Sequence, residues 1–267
     1  MIDSLLIDLD GVFYEGDKSV PGAADTAAWI RECGIPYLYV TNTTSRPRRA
    51  VVEKLAAMRV SAVEDDILTP PVAASHWLRE HTAGPVALFV APATVEDFAG
   101  LEIAAPGQHA AAVVVGDYGE RWSYAELNRA FRLLMQTPPP ILVALGMTRY
   151  WLADDGLRLD TAPFVTALSH ASGVEPMVLG KPAGLFFDAA LAALGTTAER
   201  TLMIGDDIRG DVGGARAAGI AAALVRTGKF RAEDLEGDIR PDWVLESIAD
   251  LPERWSAIEA GAVRAGS

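Results

Sequence analysis

Cysteine is almost missing from this chain: Cys33 is the only one in 267 residues, so no internal disulfide can form. A disulfide-stapled scaffold is excluded, and a reducing, cytoplasmic setting is expected. Histidine is scarce as well, and His76, His81, His109 and His170 stand at no spacing that would build a zinc site. Apolar runs are short and broken by charge well before the roughly 18 residues a membrane-crossing helix needs, so no membrane partner is expected. The opening Met-Ile-Asp-Ser carries neither a basic stretch nor a cleavable apolar one, and no secretory leader is expected. Positive charge is in deficit: 23 Lys and Arg against 36 Asp and Glu leave a net −13. Such a field disfavours nucleic acid and anionic lipid as partners. It also repels a free phosphate, so any phosphate-handling site needs local help from a cation and from oriented amides.

What remains is an ordinary globular composition, half apolar and 22% charged, with no internal repeat or low-complexity stretch. Apolar β-type runs alternate with helical stretches along the whole chain. Strands are expected at 4–9, 35–40, 67–68, 86–90, 111–115, 141–144, 177–179, 201–204, 221–225 and 243–245. Helices are expected between them, at 24–33, 48–58, 71–81, 93–99, 123–135, 164–172, 184–194 and 210–218. Ser123 with Glu126 reads as a capping box for the 123–135 helix. Repeated βα units imply parallel sheets flanked by helices. The fold class expected is therefore α/β: a doubly wound, Rossmann-like parallel-sheet core with an inserted smaller α/β domain. The core would be 1–79 with 180–267, and the insert 80–179, with crossings near 82–85 and 180–182.

Four short segments carry the chemistry. In Leu5-Leu6-Ile7-Asp8-Leu9-Asp10-Gly11 an apolar strand ends in two carboxylates, at the edge where open α/β sheets bind ligands. Two residues apart in an extended chain, both face one way and need a cation or a shared proton. Taken alone, the pair would serve as well to cap the turn into Gly11. Tyr39-Val40-Thr41-Asn42-Thr43-Thr44 is a second strand end, whose hydroxyl and loop amides suit phosphate oxygens or simply cap a helix. Gly180-Lys181-Pro182 places a lysine in a turn. It is not a P-loop, because Gly173 lies seven positions before Gly180 and Pro182 stands where Ser or Thr is required. Thr227-Gly228-Lys229-Phe230 fails the same test. Lastly, Ile204-Gly205-Asp206-Asp207-Ile208-Arg209-Gly210-Asp211 sets acids at a strand end, a plausible oxygen site for a hard cation and not an EF-hand.

In that order, strand-end acids, threonine, lysine and Gly-Asp-Asp-x-x-x-Asp, the chain resembles the haloacid dehalogenase superfamily over nearly its whole length. The long insert between Thr41 and Lys181 is similar to that superfamily's C2-type cap. Gly11-Val12, Val20-Pro21-Gly22, Phe186-Phe187 and Asp211-Val212-Gly213-Gly214-Ala215 resemble its nitrophenylphosphatase and N-acetylglucosamine-phosphatase branch. Arg149-Tyr150-Trp151 ahead of Gly156-Leu157-Arg158-Leu159 is similar to the phospholysine phosphohistidine inorganic pyrophosphate phosphatase group.

The resemblance implies a Mg²⁺-dependent phosphatase acting on a small phosphorylated substrate through an aspartyl-phosphate on Asp8. Asp10 would move protons, and its presence favours phosphoryl chemistry over dehalogenation. Mg²⁺ would be held by Asp8, the Asp10 carbonyl and Asp206. Thr41, Lys181 and the amides of Leu9, Asp10, Asn42 and Thr43 would bind phosphoryl oxygens, with Asp207 and Asp211 behind them orienting waters or Lys181. A homodimer formed through the cap is expected. A phosphotransferase or phosphomutase, or an inactive phosphate-ligand binder, is the alternative the sequence leaves open.

Overall fold

The computed structural model describes residues 1–153 and 155–261. It opens with strand β1 (Ser4–Ile7), the hairpin β2 (Tyr14–Glu15) and β3 (Lys18–Ser19), then helix α1 (Ala23–Glu32) and strand β4 (Tyr37–Val40). Helix α2 (Arg48–Ala57), strand β5 (Ile67–Leu68) and helix α3 (Pro70–His81) follow. The middle holds β6 (Val86–Phe89), β7 (Ala112–Val115), α4 (Tyr124–Leu134), β8 (Ile141–Ala144), the hairpin β9 (Tyr150–Ala153) and β10 (Gly156–Leu159), α5 (Thr161–Ser172) and β11 (Pro176–Val178). The last third contains α6 (Gly184–Leu194), β12 (Thr201–Gly205), α7 (Gly214–Ala217), β13 (Ala221–Val225), β14 (Trp243–Leu245) and α8 (Leu251–Glu259).

Two sheets take up most of these strands. One is six-stranded, in the order β14-β13-β12-β1-β4-β5, with every pairing parallel. The other is four-stranded and parallel, β11-β8-β7-β6. β1 and β12 are buried along their whole length, which is why they read as unbroken apolar runs instead of alternating ones. Strand order reverses at β1, with β4 on one side and β12 on the other, and that reversal creates a ligand-binding crevice at the carboxyl ends.

The chain divides into two compact units. The first comprises Met1–Thr41, Arg49–Leu68 and the described part of Lys181–Ser267. Its core gathers Leu5, Ile7, Phe13, Tyr39, Leu55, Ile204 and Val225 around the six-stranded sheet. The second comprises Asn42–Arg48 and, apart from residue 154, Thr69–Gly180. Helix α3 therefore goes with the second unit, ahead of the crossing that residues 82–85 suggest. The reason is packing: Ala74 and Leu78 of α3 share one apolar cluster with Val86, Val90, Phe98 and Val114. The start of α3 is well marked, with Thr69 Oγ1 accepting the Val72 N–H at 3.4 Å and Pro70-Pro71 filling the first turn, where missing N–H groups cost nothing. On the opposite face of the second sheet Trp122 stacks between Phe89 (5.4 Å) and Phe164 (4.9 Å).

Several local expectations need correction. The capping box at Ser123 is half made: Ser123 Oγ accepts the Glu126 N–H at 3.2 Å, but the Glu126 carboxylate turns to Arg129 (2.8 Å) and Tyr118 (3.1 Å). An oppositely charged neighbour one turn away outcompetes a single backbone amide. Helix α5 starts earlier than expected, at Thr161, because the Asp160 carboxylate caps it at 2.7 Å. Residues 210–218 are not one α-helix: Ile208–Gly213 forms a π-helical turn that leads into the short α7.

Candidate active site

At the carboxyl edge of the six-stranded sheet, β1 leads directly into Asp8, β4 into Thr41 and β12 into Asp206. The register Ile7↔Tyr39 and Ile7↔Ile204 sets these ends side by side, and the Asp8 N–H donates to the Ile204 carbonyl at 2.8 Å. Asp8, Thr41, Lys181, Asp206 and Asp211 are all buried polar residues of the first unit. The Lys181 ammonium lies 2.7 Å from Asp8 Oδ1, 2.6 Å from Asp211 Oδ1 and 3.1 Å from the Val40 carbonyl, so it ties the ends of β1 and β4 to the π-turn. That turn bulges Asp211 back toward β12, a use of π geometry often found at working sites. Asp207 caps the turn, its Oδ1 accepting the N–H groups of Arg209 (3.0 Å) and Gly210 (2.8 Å), and its Oδ2 pairs with Lys229 Nζ at 3.3 Å.

One oxygen each from Asp8, Asp206 and Asp211 falls within 4.8 Å of the others. Three carboxylates against one ammonium leave two negative charges in a buried space. Their proton affinities record the crowding. Burial lifts Asp8 to about 8, with Lys181 opposing and Asp211 and Asp206 adding to the rise. Burial likewise lifts Asp206 to about 6, against the pull of the Lys229 N–H. Burial works against the Lys181 charge, yet Asp211 and Asp8 more than offset it and hold the ammonium well above its ordinary value. Asp207 moves the other way: the Gly210 N–H and Lys229 overcome burial and keep it below the usual range.

The oxygen-only donor set fits a hard divalent cation. Both oxygens of Asp211 are occupied, one by Lys181 and the other by the Asp207 N–H at 3.1 Å. Asp206 is 1% exposed, and its Oδ1 is a buried oxygen with no hydrogen-bond partner among the described residues. A buried orphan carboxylate oxygen costs free energy unless something positive meets it. The arrangement asks for a cation on Asp206 Oδ1 and leaves Asp211 as an orienting group.

The other residues singled out in the sequence are placed as follows. Asp10 is exposed; β1 stops at Ile7, Asp10 bridges only to Tyr14, and the chain turns at residues 11–13 into the β2–β3 hairpin, so the facing rule for an extended strand does not extend to it. Leu9 is buried, and among the described residues no acceptor is matched to the N–H of Leu9 or of Asp10. Asn42 and Thr43 follow Thr41 directly but group with the second unit. Tyr150 and Trp151 are exposed on β9, and the Arg149 guanidinium lies 5.7 Å from the Tyr150 ring. Sequence reasoning missed Lys229 and its turn; the signal was there, since a Thr-Gly-Lys follows the strand next to β12 in the sheet.

This edge cluster on a doubly wound sheet defines a hydrolase of the phosphatase class, and the chain belongs to the haloacid dehalogenase-like hydrolase family, whose profile matches residues 5–104. A second profile, described as HAD-hydrolase-like, matches residues 178–251. Among its relatives is the Bos taurus haloacid dehalogenase-like hydrolase domain-containing protein 2, 39% identical, with 90% of each chain aligned. The human phospholysine phosphohistidine inorganic pyrophosphate phosphatase is 34% identical over 93% of this chain and 92% of its own. Among solved structures, a p-nitrophenyl phosphatase from Archaeoglobus fulgidus superposes with a TM-score of 0.86 at 28% identity, covering 94% of this chain and 98% of that one. Among the described residues no helix is long and apolar enough to cross a membrane.

Proposed function

We propose that this hydrolase releases phosphate from a small phosphorylated substrate by way of a covalent phosphoryl group on Asp8, and that it needs Mg²⁺. The observation that carries the reading is the buried Asp8 carboxylate at the β1 terminus, 2.7 Å from Lys181 and grouped with an Asp206 that has one orphan oxygen. Asp8 attacks phosphorus in line with the leaving oxygen, and the phosphorus–oxygen bond to the leaving group breaks. Asp10, exposed and next to the nucleophile, gives that oxygen its proton. It then takes a proton from the water that displaces Asp8 from phosphorus. Thr41 and the free amides of Leu9 and Asp10 hold phosphoryl oxygens. Lys181 keeps Asp8 in place and balances the charge gathered on the phosphoryl group. Asp8, Asp206 and the Asp10 carbonyl would hold Mg²⁺, which supplies positive charge to the phosphoryl oxygens.

Residues 80–179, within the second unit, serve as the cap that selects the substrate and mediates a homodimer; sedimentation of the full chain tests the latter. The single cysteine suits a cytoplasmic location. The function is tested by phosphate release from a panel of phosphomonoesters, pyrophosphate, phosphohistidine and phospholysine. Activity should vanish with chelator and return with Mg²⁺; release that ignores chelator would sink the reading.

A further inference from the structure

The turn after β13 holds Asp206 through a backbone amide. Thr227 Oγ1 donates to the Gly11 carbonyl, the Gly228 N–H donates to Glu15 Oε1 at 2.6 Å, and the Lys229 N–H donates to Asp206 Oδ2 at 2.7 Å. Three consecutive residues thus grip, in order, the loop after β1, the β2–β3 hairpin and the acid at the end of β12. Two glycines make the grip possible. Gly11 (φ 82°) and Gly228 (φ 64°) both sit in the left-handed region. A Cβ on either one would overlap Asp206 Oδ2, and one on Gly228 would also press on the Gly11 Cα. The consequence is asymmetric. Oδ2 is walled in by two glycines and bonded to an amide, while Oδ1 of the same buried carboxylate is left with no partner. A carboxylate fixed through one oxygen presents the other in one direction only.

We propose that Thr227, Gly228 and Lys229, braced by Gly11 and Glu15, form a positioning clasp that aims Asp206 Oδ1 at the divalent cation. The inference rests on the metal site proposed above and adds the device that orients it. Nothing in the clasp touches the substrate; it works through Asp206. Outer contacts of this kind typically change metal affinity by about 10–100-fold. Glu15 enters only as an acceptor, so Glu15→Gln, which keeps an oxygen there, should behave like the unaltered chain while Glu15→Ala should not. The same logic separates Thr227→Ser, which keeps the hydroxyl, from Thr227→Val, which removes it at nearly equal volume.

Mn²⁺ is the probe, titrated into the metal-free full chain without substrate, with free Mn²⁺ read by electron paramagnetic resonance. Thermal midpoints of the same metal-free variants report the fold. Thr227→Val should weaken Mn²⁺ binding by about tenfold or more with its metal-free midpoint little changed, and Thr227→Ser and Glu15→Gln should stay close to the unaltered protein; Gly228→Ala, strained at its positive φ and against Asp206, should lose affinity and lower the metal-free midpoint as well. Unaltered affinity in Gly228→Ala and Thr227→Val, while Asp206→Ala loses Mn²⁺, overturns the clasp and leaves the metal site standing. In Thr227→Val, affinity that falls only in step with a lowered metal-free midpoint also overturns the clasp, since the turn would then serve the fold. An unaltered chain that binds no Mn²⁺ overturns both.

Discussion

Lys181→Met removes a buried ammonium and keeps the length of the side chain. Lys181, Asp8 and Asp211 have side chains only 3%, 8% and 2% exposed, so water cannot replace what is lost. Breaking a buried pair by deleting one partner costs about 3–5 kcal/mol. Here two carboxylates lose their cation, but burial raises the proton affinity of Asp8 and Lys181 opposes that rise, so without the ammonium Asp8 takes up a proton more readily and sheds its charge. The uncompensated charge that remains is chiefly that of Asp211, which puts the loss at the lower end, about 3 kcal/mol. At about 1.4 kcal/mol per decade that is a fall of roughly 10²-fold in amide protection for openings that expose the site. Hydrogen exchange of β1 and β12 in the metal-free protein at neutral pH reads it directly. Adding Asp211→Asn to Lys181→Met should restore most of the protection and none of the activity, because the buried charge is gone but the lysine is still missing. Protection in Lys181→Met within about threefold of the unaltered chain would refute the view that this ammonium neutralises the cluster.

Asp8→Asn keeps the shape of the nucleophile but not its charge, so turnover should fall by several orders of magnitude; retention of about a tenth of the rate would remove Asp8 from that role. Asp10→Asn should slow attack on alkyl phosphates by about 10²–10⁴ and on nitrophenyl phosphate much less, since nitrophenolate leaves without a proton. Rapid-quench rates on the two substrates decide it, and equal losses would assign Asp10 to the fold. In the second unit, burial and the neighbouring Asp160 hold Asp117 above its ordinary value. The folded state then binds that proton more tightly than the unfolded one, and stability falls as pH rises from about 3.9, the ordinary Asp value, through the raised one. Asp117→Asn should therefore raise the thermal midpoint at neutral pH by about 1–3 °C and leave it unchanged near about pH 3.5; a gain that is the same at both would tie it to packing instead of charge.

The parts of this molecule that were legible from sequence share one property: their signal is local and apolar. β1 and β12 are buried on both faces, so continuous runs such as Leu5-Leu6-Ile7 and Leu202-Met203-Ile204 mark them without periodicity, and the polar residues that follow mark the sheet edge. Helices with strong punctuation, such as α6, were equally plain. The β2–β3 hairpin was not, because two-residue strands with exposed Lys18 and Ser19 carry no alternation to read. The β9–β10 hairpin hides for a related reason: Tyr150, Leu157 and Leu159 are exposed, against the pattern of a half-buried strand. α8 was passed over although Pro252 stands in its first turn. The π-turn at Ile208–Gly213 has no sequence signature at all; it follows from Asp207 capping at one end and Lys181 drawing Asp211 inward at the other.

At the site, the acids and the lysine could be named in advance because their chemistry demands those residue types, whereas the support around them could not. Thr227-Gly228-Lys229 was set aside once it failed as a phosphate loop, yet its amide holds Asp206. The difference lies in what each residue contributes. An oxygen site for a hard cation draws on carboxylates, and only two residue types supply one; a clasp needs an N–H and a vacancy where a Cβ would be, and every loop offers the first. What distinguishes this turn is its place in the sheet: β13 lies beside β12, with Leu224 paired to Gly205, so the turn that follows Val225 emerges beside Asp206. The same adjacency answers the electrostatic objection raised by a net charge of −13. Exposed acids are screened beyond roughly 8 Å at physiological ionic strength, while the Lys181 ammonium lies 2.7 Å from Asp8 within a buried edge. Strand order sets residues 8 and 206 side by side, and Lys181 joins them through Asp8 and Asp211, so one ammonium acts there at short range against a surface of the wrong sign.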